Sequence, residues 1–369
     1  MTNTQDYEKI RRKKKLIKRK KIRMVINTIV AMLLITSIVL GGYYYRLYRI
    51  DEEMISAKNK EIEELNDRIA NDTYSEEDIR SIMSDSENNA KQTMLTYIRN
   101  TFESGEGALT VLENLYPNNI IVPDSGVYRF FEIKNYRKSD NKENCFVYPV
   151  KNEENGSYEG RASYEDGEMR ARLGVDVSKF QGTINWNRVK NDGIEYAYIR
   201  LGYRGYESGK IVNDSMYEVN IKKCNAVGLD CGVYFFTEAK TEEEAVEEAE
   251  FVLESLADYH IELPIVIDVE ESANISKSRT KNLTKEQRTK NVIAFCDRIR
   301  EAGYEAMIYG NLKSMMVMMD FEQLEDYDKW FAYYRYPIRF PYRYRIWQYS
   351  STGSVDGIKG QADMNLMFY

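Results

Sequence analysis

Residues 264–270 read PIVIDVE, a short apolar run that ends in two acids. Side chains of a β-strand alternate between two faces, so Val266, Asp268 and Glu270 share one face and the intervening residues share the other. Apolar residues on both faces are typical of a parallel strand that is covered on both sides. The stretch therefore predicts a buried strand whose carboxyl end carries a pair of carboxylates.

Short apolar runs alternate with amphipathic helical patterns on either side of this stretch. Capping boxes open two of the helices, Thr241 with Glu244 and Thr284 with Gln287. Alternation of strand and helix over about 195 residues predicts an α/β fold with a parallel sheet, either open or closed. The predicted strands read LGVDVS, IEYAYIRLG, CGVYFF, PIVIDVE, YEAMIYG, WFAYY and YRIWQYS.

Polar residues at the carboxyl ends of parallel strands are the site candidates in such folds. Asp176 interrupts the first strand, Asp268 and Glu270 close the PIVIDVE strand, and Asp363 lies near the end of the chain. Asp268 and Glu270 are about 6.6 Å apart along a strand. In an apolar setting, desolvation and repulsion raise the pKa of one of them, which gives the acid and base that glycosidic cleavage needs. The spacing alone also fits a solvated strand end or an ion pair with Arg200.

Composition excludes several other classes of protein. The chain has 369 residues and a net charge of −7, yet residues 1–23 hold eleven basic and two acidic residues, so the rest is strongly acidic. A nucleic-acid-binding protein does not normally confine its positive charge to one short tail. The single histidine, His260, excludes His-rich metal sites, and four cysteines without a CxxC pair exclude a zinc ribbon and a disulfide scaffold.

The N-terminal region predicts a membrane anchor. Residues 24–45 are uncharged and long enough for the ~20 residues that cross a bilayer, and three tyrosines close the stretch. Because the basic tail of residues 1–23 precedes the span, the tail is predicted to be cytoplasmic and the remainder extracytoplasmic. A cleaved signal peptide is the alternative, but the apolar run exceeds the usual length of about 7–15 residues and no small-x-small site follows Gly42.

Two further regions separate the span from the α/β region. Residues 46–73 predict an exposed helical stalk, because two apolar heptads are too few for a coiled coil. Residues 74–165 combine a polar helix with short β-like runs such as NIIVP and VYRFFEI, which predicts a small α+β accessory module. Neither region shows a catalytic motif, and the sequence does not reveal the oligomeric state.

A series of motifs in the C-terminal region resembles glycoside hydrolase family 25, the N-acetylmuramidase lysozymes. The series opens with GVDVSKFQG and INW at residues 174–186 and closes with DMN at residues 363–365. Between them lie IRLGY, GVYFF, PIVIDVE, YGN, WFA and WQYS, in the order of that family. The resemblance covers residues 172–369 and implies an irregular, TIM-like β/α barrel that cuts the β-1,4 bond between N-acetylmuramic acid and N-acetylglucosamine.

The resemblance also implies roles for the four acids. Glu270 matches the family's general acid. Asp268 matches the partner carboxylate that stabilises either a covalent intermediate or an oxazolinium ion formed by the acetamido group. Asp176 and Asp363 match the two remaining pocket acids, which orient substrate and keep Glu270 protonated. No metal or other cofactor is expected, since the set lacks histidine.

Several aromatic and basic residues are candidates for substrate binding. Tyr234, Tyr309 and Trp347 lie nearest the motifs and are predicted to stack on sugar rings, with Arg200 beside them, although core packing is the alternative for any aromatic residue. The segment of residues 333–345 is rich in arginine and tyrosine. It is interpreted either as a basic rim that contacts anionic wall polymers or as a solvated loop.

The sequence therefore predicts a membrane-anchored muramidase whose partners are the lipid bilayer and the glycan strands of peptidoglycan, and which binds no nucleic acid. A non-catalytic peptidoglycan-binding protein on the same fold is the alternative, because fold does not guarantee activity. The intact set of four acids favours the enzyme. A chitinase-like barrel also carries a DxE pair, but the Asp-x-Ser-x-x-Gln-Gly opening at residues 176–182 and the closing Asp-x-Asn count against it.

Overall fold

The computed structural model of the protein describes residues 41–42, 45–46, 49, 52–67, 74–152, 158–272 and 274–369. The chain divides into two compact units, Met1–Asn100 and Thr101–Tyr369. This division falls inside the predicted accessory module of residues 74–165, so the helical and the β-like parts of that module belong mainly to different units.

The first unit is helical where the structure describes it. Residues 52–67 are helical, and a second helix, α1 (Glu76–Glu103), begins after the exposed Ser75, whose hydroxyl and backbone N–H both bond to Asp78. No residue of α1 is buried. Three acids in its first turn stabilise the helix, because their negative charges lie at the positive end of the helix dipole. Within the described ranges, no helix is long and apolar enough to cross a membrane. Most of the predicted span, residues 24–40 and 43–44, and the tail of residues 1–23 lie outside those ranges.

The second unit begins with a short helix and a set of small antiparallel hairpins. The strands β1 and β2 form one hairpin, β3 pairs with β6, and β4 pairs with β5. Ser125 and Gly126 make the β1–β2 turn with positive φ angles. The elements are α2 (Ala108–Leu115), β1 (Asn119–Asp124), β2 (Val127–Glu132), β3 (Phe146–Val147), β4 (Val150–Lys151), β5 (Tyr158–Glu159) and β6 (Ser163–Tyr164).

A β/α barrel follows these hairpins. Its strands are β7 (Ala171–Val177), β8 (Tyr196–Arg204), β9 (Ile211–Asn213), β10 (Asp230–Phe236), β11 (Ile265–Asp268), β12 (Ala306–Asn311), β13 (Asp328–Ala332), β14 (Ile346–Gly353) and β15 (Ala362–Phe368). Its helices are α3 (Trp186–Asn191), α4 (Tyr217–Ala226), α5 (Glu242–Ser255) and α6 (Lys285–Glu301). Thr241 and Thr284 cap their helices, since their side chains accept bonds from Glu244 N and Gln287 N.

The sheet closes because β8 pairs with both β7 and β10. Neighbouring strands from β10 to β14 run parallel, whereas β15 is antiparallel to both β14 and β7. The start of β15 therefore lies at the same end of the barrel as the carboxyl ends of the parallel strands. Helices flank the early strands, while short π- and 3-10 turns and loops connect the later ones. This confirms the prediction of an irregular α/β barrel.

Tyrosines fill the barrel interior because glycines on neighbouring strands make room for them. A Cβ at Gly174 would lie 2.2 Å from the Tyr196 ring, and one at Gly232 would lie 2.4 Å from the Tyr198 ring. Real side chains do not approach so closely, so both positions require glycine. Both tyrosines belong to an interior cluster with Val266. Ile265 and Ile267, on the other face of β11, belong to the cluster that faces the helices, as the strand period predicts.

The hairpins pack against the outside of this barrel. Ile120 and Val122 of β1 and Tyr164 of β6 are buried in the same hydrophobic cluster as the layer between the barrel and its helices. Phe146 makes edge contacts with Trp347 of β14 and Phe368 of β15. The β-like part of the predicted accessory module therefore shares its core with the barrel.

Candidate active site

Four carboxyl groups converge at one end of the barrel because of strand direction and register. Asp268 is the last residue of β11, and Glu270 follows two residues later. Asp363 lies at the start of β15 and pairs in register with Asp176 near the end of β7. Since β15 is antiparallel, its first residues lie beside the last residues of β7. The four predicted acids thus share one site.

These acids line a cleft of about 320 Å³ at the carboxyl ends of the strands. Asp176 and Asp268 are buried, while Glu270 and Asp363 are partly exposed toward the opening. The other lining residues are Ser178, Phe180, Gln181, Arg200, Tyr234, Phe236, Tyr309, Trp330, Tyr334 and Gln348. The floor of the cleft is acidic and its walls are aromatic. This combination suits a neutral sugar that must be protonated at one oxygen.

Two amide side chains hold Asp176. Gln348 Nε2 and Asn365 Nδ2 each donate to Asp176 Oδ2 at 2.8 Å. The acceptor oxygen of each amide is also bound, Asn365 Oδ1 by Trp330 Nε1 at 2.7 Å and Gln348 Oε1 by Tyr309 OH at 2.9 Å. Because every amide group has a partner, the carboxylate and its neighbours are held in one arrangement.

Burial dominates the protonation of the two acids on β7 and β15. It raises the pKa of Asp176 to about 6, although the bonds from Asn365 and Gln348 favour the charged form. Burial, with the nearby charges of Asp176 and Glu270, raises the pKa of Asp363 to about 8.

The DxE pair is shifted in the same direction. Burial raises the pKa of Asp268 well above its usual range, and the charges of Glu270 and Asp176 add to the shift, while Arg200 opposes it. Burial also raises the pKa of Glu270, and the nearby hydroxyl group of Tyr309 partly offsets this shift. Four carboxyl groups with raised pKa values share protons as one coupled set, so the cleft keeps a transferable proton near neutral pH.

One carboxylate oxygen of Asp268 is available to accept a hydrogen bond from a ligand. Its Oδ1 atom is buried and, within the part of the chain that the structure describes, has no hydrogen-bond partner. An unpartnered buried acceptor costs about 1–3 kcal/mol, so such groups are normally satisfied. This oxygen is therefore available to a donor on a bound substrate.

Arg200 lines the cleft but is held from behind by Asp214. Its Nε and Nη2 atoms donate to Asp214 Oδ2 at 2.9 and 2.7 Å. Asp214 also accepts from the backbone N–H of Lys179, which precedes Phe180. The guanidinium carbon lies 5.1 Å from the centre of the Phe180 ring, and Phe180 is 76% exposed at the edge of the cleft. Arg200 thus supports an exposed aromatic side chain.

The predicted aromatic residues divide into two groups. Tyr234 and Tyr309 line the cleft, as expected. Trp347 does not line it, because alternation along β14 turns Gln348 inward and Trp347 outward. Trp347 is fully buried, donates through Nε1 to Tyr333 O at 2.8 Å, and belongs to the outer hydrophobic cluster. The prediction that Trp347 binds substrate is corrected accordingly.

Three residues that matter to the site belong to motifs named from the sequence but were given no role there, namely Gln348, Asn365 and Trp330. Each occupies an inward position on its strand, two residues from another inward position. Period-two alternation from Ile346 would have indicated Gln348, and alternation from Asp363 would have indicated Asn365. Trp330 carries no such signal, since core packing is the ordinary role of a buried tryptophan.

The arginines of residues 333–345 are engaged within the protein. Arg335 binds both carboxylate oxygens of Glu113, and Arg339 binds Asn114 and approaches Glu113. Arg345 pairs with Glu305 and Asp328. Internal partners therefore occupy these three guanidinium groups, whereas Arg343 is exposed, and the basic rim for wall polymers stays a prediction.

The described residues contain no group of three or more His, Cys, Asp or Glu side chains arranged to hold a metal ion. A larger groove of about 990 Å³ is lined by residues of α3, α4 and neighbouring loops, among them Trp186, Lys223 and Thr183, and none of the four acids lines it. The acidic cleft is therefore the better candidate for catalysis.

The barrel and its acidic cleft define a glycoside hydrolase. Residues 175–358 match the model of the glycosyl hydrolases family 25, so this part of the chain is a domain of that family.

Known relatives align with the same region. The chain is 27% identical over 195 residues to the autolytic lysozyme of Clostridium acetobutylicum, covering 52% of this chain and 54% of that protein. It is 25% identical over 213 residues to lysozyme M1 of Streptomyces globisporus, covering 52% of this chain and 66% of that protein. The chain thus spans about half to two thirds of the length of these relatives.

A solved structure shares the fold. The modular autolysin LytC from Streptococcus pneumoniae, in complex with a synthetic peptidoglycan ligand, aligns with a TM-score of 0.50 and 21% identity. The alignment covers 68% of this chain and 58% of that one. At this identity the likeness concerns the fold alone.

Proposed function

We propose that the protein is a muramidase, which hydrolyses the β-1,4 bond between N-acetylmuramic acid and N-acetylglucosamine in peptidoglycan. The observation that carries the proposal is the convergence of Asp176, Asp268, Glu270 and Asp363 in one aromatic-walled cleft of a family 25 domain. The names of the aligned relatives, an autolytic lysozyme and lysozyme M1, support the same substrate class.

Glu270 is the general acid of the proposed reaction. It lies toward the opening of the cleft, where a glycosidic oxygen can reach it, and burial raises its pKa so that it holds a proton. Transfer of that proton to the bridging oxygen lets the bond break as positive charge develops on the sugar ring. General acid catalysis of this kind contributes about 10²–10⁴-fold in rate.

Asp268 assists the sugar that becomes positively charged. Its free Oδ1 atom accepts the N–H of the acetamido group, which turns the acetamido carbonyl oxygen toward the anomeric carbon. That oxygen then attacks to form an oxazolinium ion, and a water molecule opens the ion after Glu270, now a carboxylate, removes its proton. The unpartnered acceptor supports this substrate-assisted route over direct attack by Asp268.

The other two acids, Asp176 and Asp363, influence which carboxyl groups of the cleft hold a proton. The charge of Asp176 favours a proton on Asp363, and the charge of Glu270 adds to this effect once Glu270 has given up its proton. Asp176 in turn is held by Gln348 and Asn365. Tyr234 and Phe180 provide aromatic faces for the sugar rings that flank the cut bond.

We also propose that residues 24–45 anchor the protein in the cytoplasmic membrane, with residues 1–23 in the cytoplasm and the barrel outside. The apolar span and the charge asymmetry of its flanks support this placement. A tether would limit cutting to glycan strands within reach of the membrane surface.

Release of reducing ends from purified peptidoglycan tests the proposed activity. The wild-type protein is expected to clear walls in a zymogram, and Glu270→Gln is expected to lose at least about a hundredfold in rate, since the amide keeps the shape but cannot donate an acidic proton. Glu305→Gln, a change at the opposite end of β12, is the matched control. Binding of walls without clearing by the wild type would instead support the non-catalytic alternative.

A further inference from the structure

A small part of the second unit contacts the active-site end of the barrel at two separate places. This part, the flanking segment, comprises residues 108–132 and contains α2, β1 and β2. Each contact is made by a buried acid of the segment, Glu113 on α2 and Asp124 at the end of β1, which are both 7% exposed. Charged residues are seldom buried unless they are paired, so both acids need partners.

Glu113 leads to one wall of the cleft. Its two carboxylate oxygens accept from Arg335 Nη1 at 2.8 Å and Nη2 at 3.0 Å, a bidentate pair. Arg335 directly follows Tyr334, which lines the cleft and donates its hydroxyl to Gln348 Oε1. Gln348 in turn donates to Asp176. A continuous series of contacts therefore joins α2 to an acid of the site.

Asp124 makes the second contact, with residues that follow β12 and β11. Its Oδ1 atom lies 2.8 Å from Lys313 Nζ, and the same ammonium group lies 2.7 Å from Glu271 Oε1. Arg129 Nε binds the other oxygen of Asp124 at 2.6 Å and holds its carboxylate in place. Glu271 is the residue after Glu270. The second contact therefore ends one residue from the proposed general acid.

We propose that the flanking segment positions the active site from outside the barrel, with Glu113 and Asp124 as positioning residues for Tyr334 and Glu270. The inference rests on the proposed function, since it assigns roles within that site. Tyr334 and Glu270 both lie beyond the ends of their strands, where the barrel ladder does not hold them. Displacement of a catalytic group by about 1 Å costs up to ~10²-fold in rate, so supports at these points matter to catalysis.

Glu113→Gln in the full-length protein tests the first contact. The amide keeps the volume of the side chain but loses the charge-assisted pair with Arg335, and kcat/KM is expected to fall about tenfold. In a Tyr334→Phe background the same change is expected to alter kcat/KM by less than about twofold, because its effect passes through Tyr334. Full additivity of the two changes would overturn the role of Glu113.

Asp124→Asn tests the second contact in the same way. Its effect on kcat/KM is expected to disappear in a Glu271→Gln background, which removes the acceptor of Lys313 near Glu270. Glu305→Gln, which removes one of the two acidic partners of Arg345 away from the cleft, is the matched control with unchanged kcat/KM. A purely structural role would lower the melting temperature of these variants but would leave kcat/KM unchanged well below that temperature.

Amide hydrogen exchange provides a measurement that needs no activity. Residues 333–336 are expected to exchange at least about tenfold faster in Glu113→Gln than in the wild type and in Glu305→Gln. An inactive wild-type protein with this exchange pattern would refute the proposed hydrolase and leave the physical coupling in place. Wild-type exchange and wild-type kcat/KM in Glu113→Gln would overturn the positioning inference by itself.

Discussion

The two side chains of the DxE pair differ in their surroundings. Asp268 is buried with one oxygen left for a substrate donor, while Glu270 lies two residues further on and nearer the opening. Strand alternation alone predicts that both face the interior, and the structure places both in the cleft. The same alternation, applied to β14, places Gln348 inside the barrel and Trp347 outside it. The assignment of Trp347 to substrate binding came from its proximity to a motif and not from this geometry.

The raised pKa of Glu270 predicts how activity responds to pH. The acid must be protonated at the start of each cycle, so kcat/KM is expected to fall as pH rises through its folded pKa. A pH–rate profile on soluble glycan fragments measures this limb. A rate that continues to climb into the alkaline range would contradict the role of Glu270 as the proton donor.

The raised pKa of Asp363 predicts how the stability of the folded protein responds to pH. Its pKa rises from the ordinary value of 3.8 to about 8 in the folded protein, so the folded state holds a proton that the unfolded state releases between these values. Stability is therefore expected to decrease as pH rises from about 4 to about 8. Asp363→Asn, which has no proton to lose, is expected to raise the melting temperature at pH 8 by about 2–4 °C and to reduce activity.

Melting curves at pH 5 and pH 8 measure this difference, with wild type and Asp363→Asn compared at both values. The advantage of the variant should be small at pH 5 and largest at pH 8. An equal decline of both proteins between the two pH values would show that Asp363 does not carry the shift.

The barrel strands are held in register by side chains that fit only beside glycine. Tyr198 of β8 occupies the space next to Gly232 of β10, and Tyr196 occupies the space next to Gly174 of β7. These contacts close the barrel below the cleft and fix the ends from which the acids project. Alternating strand and helix patterns predicted the elements, but the closure between β8 and β10 depends on this packing between distant strands.

Gly232→Ala tests the packing at the level of one element. The added Cβ would lie 2.4 Å from the Tyr198 ring, and overpacking of this kind is expected to lower the free energy of unfolding by about 1–3 kcal/mol. Gly107→Ala is the matched control, because no atom lies within 4 Å of its added Cβ and its φ is −88°. Urea denaturation measures both, and equal stability of the two variants would contradict the close approach.

The organisation of the whole molecule depends on contacts that local sequence does not display. Glu113 and Arg335 are 222 residues apart, and so are separated by almost the whole barrel. From the sequence alone, the arginines of residues 333–345 fit either a surface for wall polymers or a solvated loop, because no nearby residue indicates what they bind. The sequence of the predicted accessory module likewise does not show that β1 and β6 complete the hydrophobic layer of the barrel.

The anchor is the prediction for the intact molecule in its cell. If the proposed anchor of residues 24–45 holds the protein in the bilayer, the full-length protein is expected to sediment with membranes and to resist extraction by high salt. Removal of residues 1–45 should release the protein. Cell-surface protease should cleave the barrel of the full-length protein in intact, wall-stripped cells, and protection of the barrel would contradict its placement outside the membrane.

Mass analysis of the sugar ends released from purified peptidoglycan tests the central claim most directly. The wild-type protein is predicted to release fragments that end in a reducing N-acetylmuramic acid, and Glu270→Gln is predicted to release almost none. Fragments ending in reducing N-acetylglucosamine, or equal release by Glu270→Gln, would contradict the assignment of a muramidase with Glu270 as its acid.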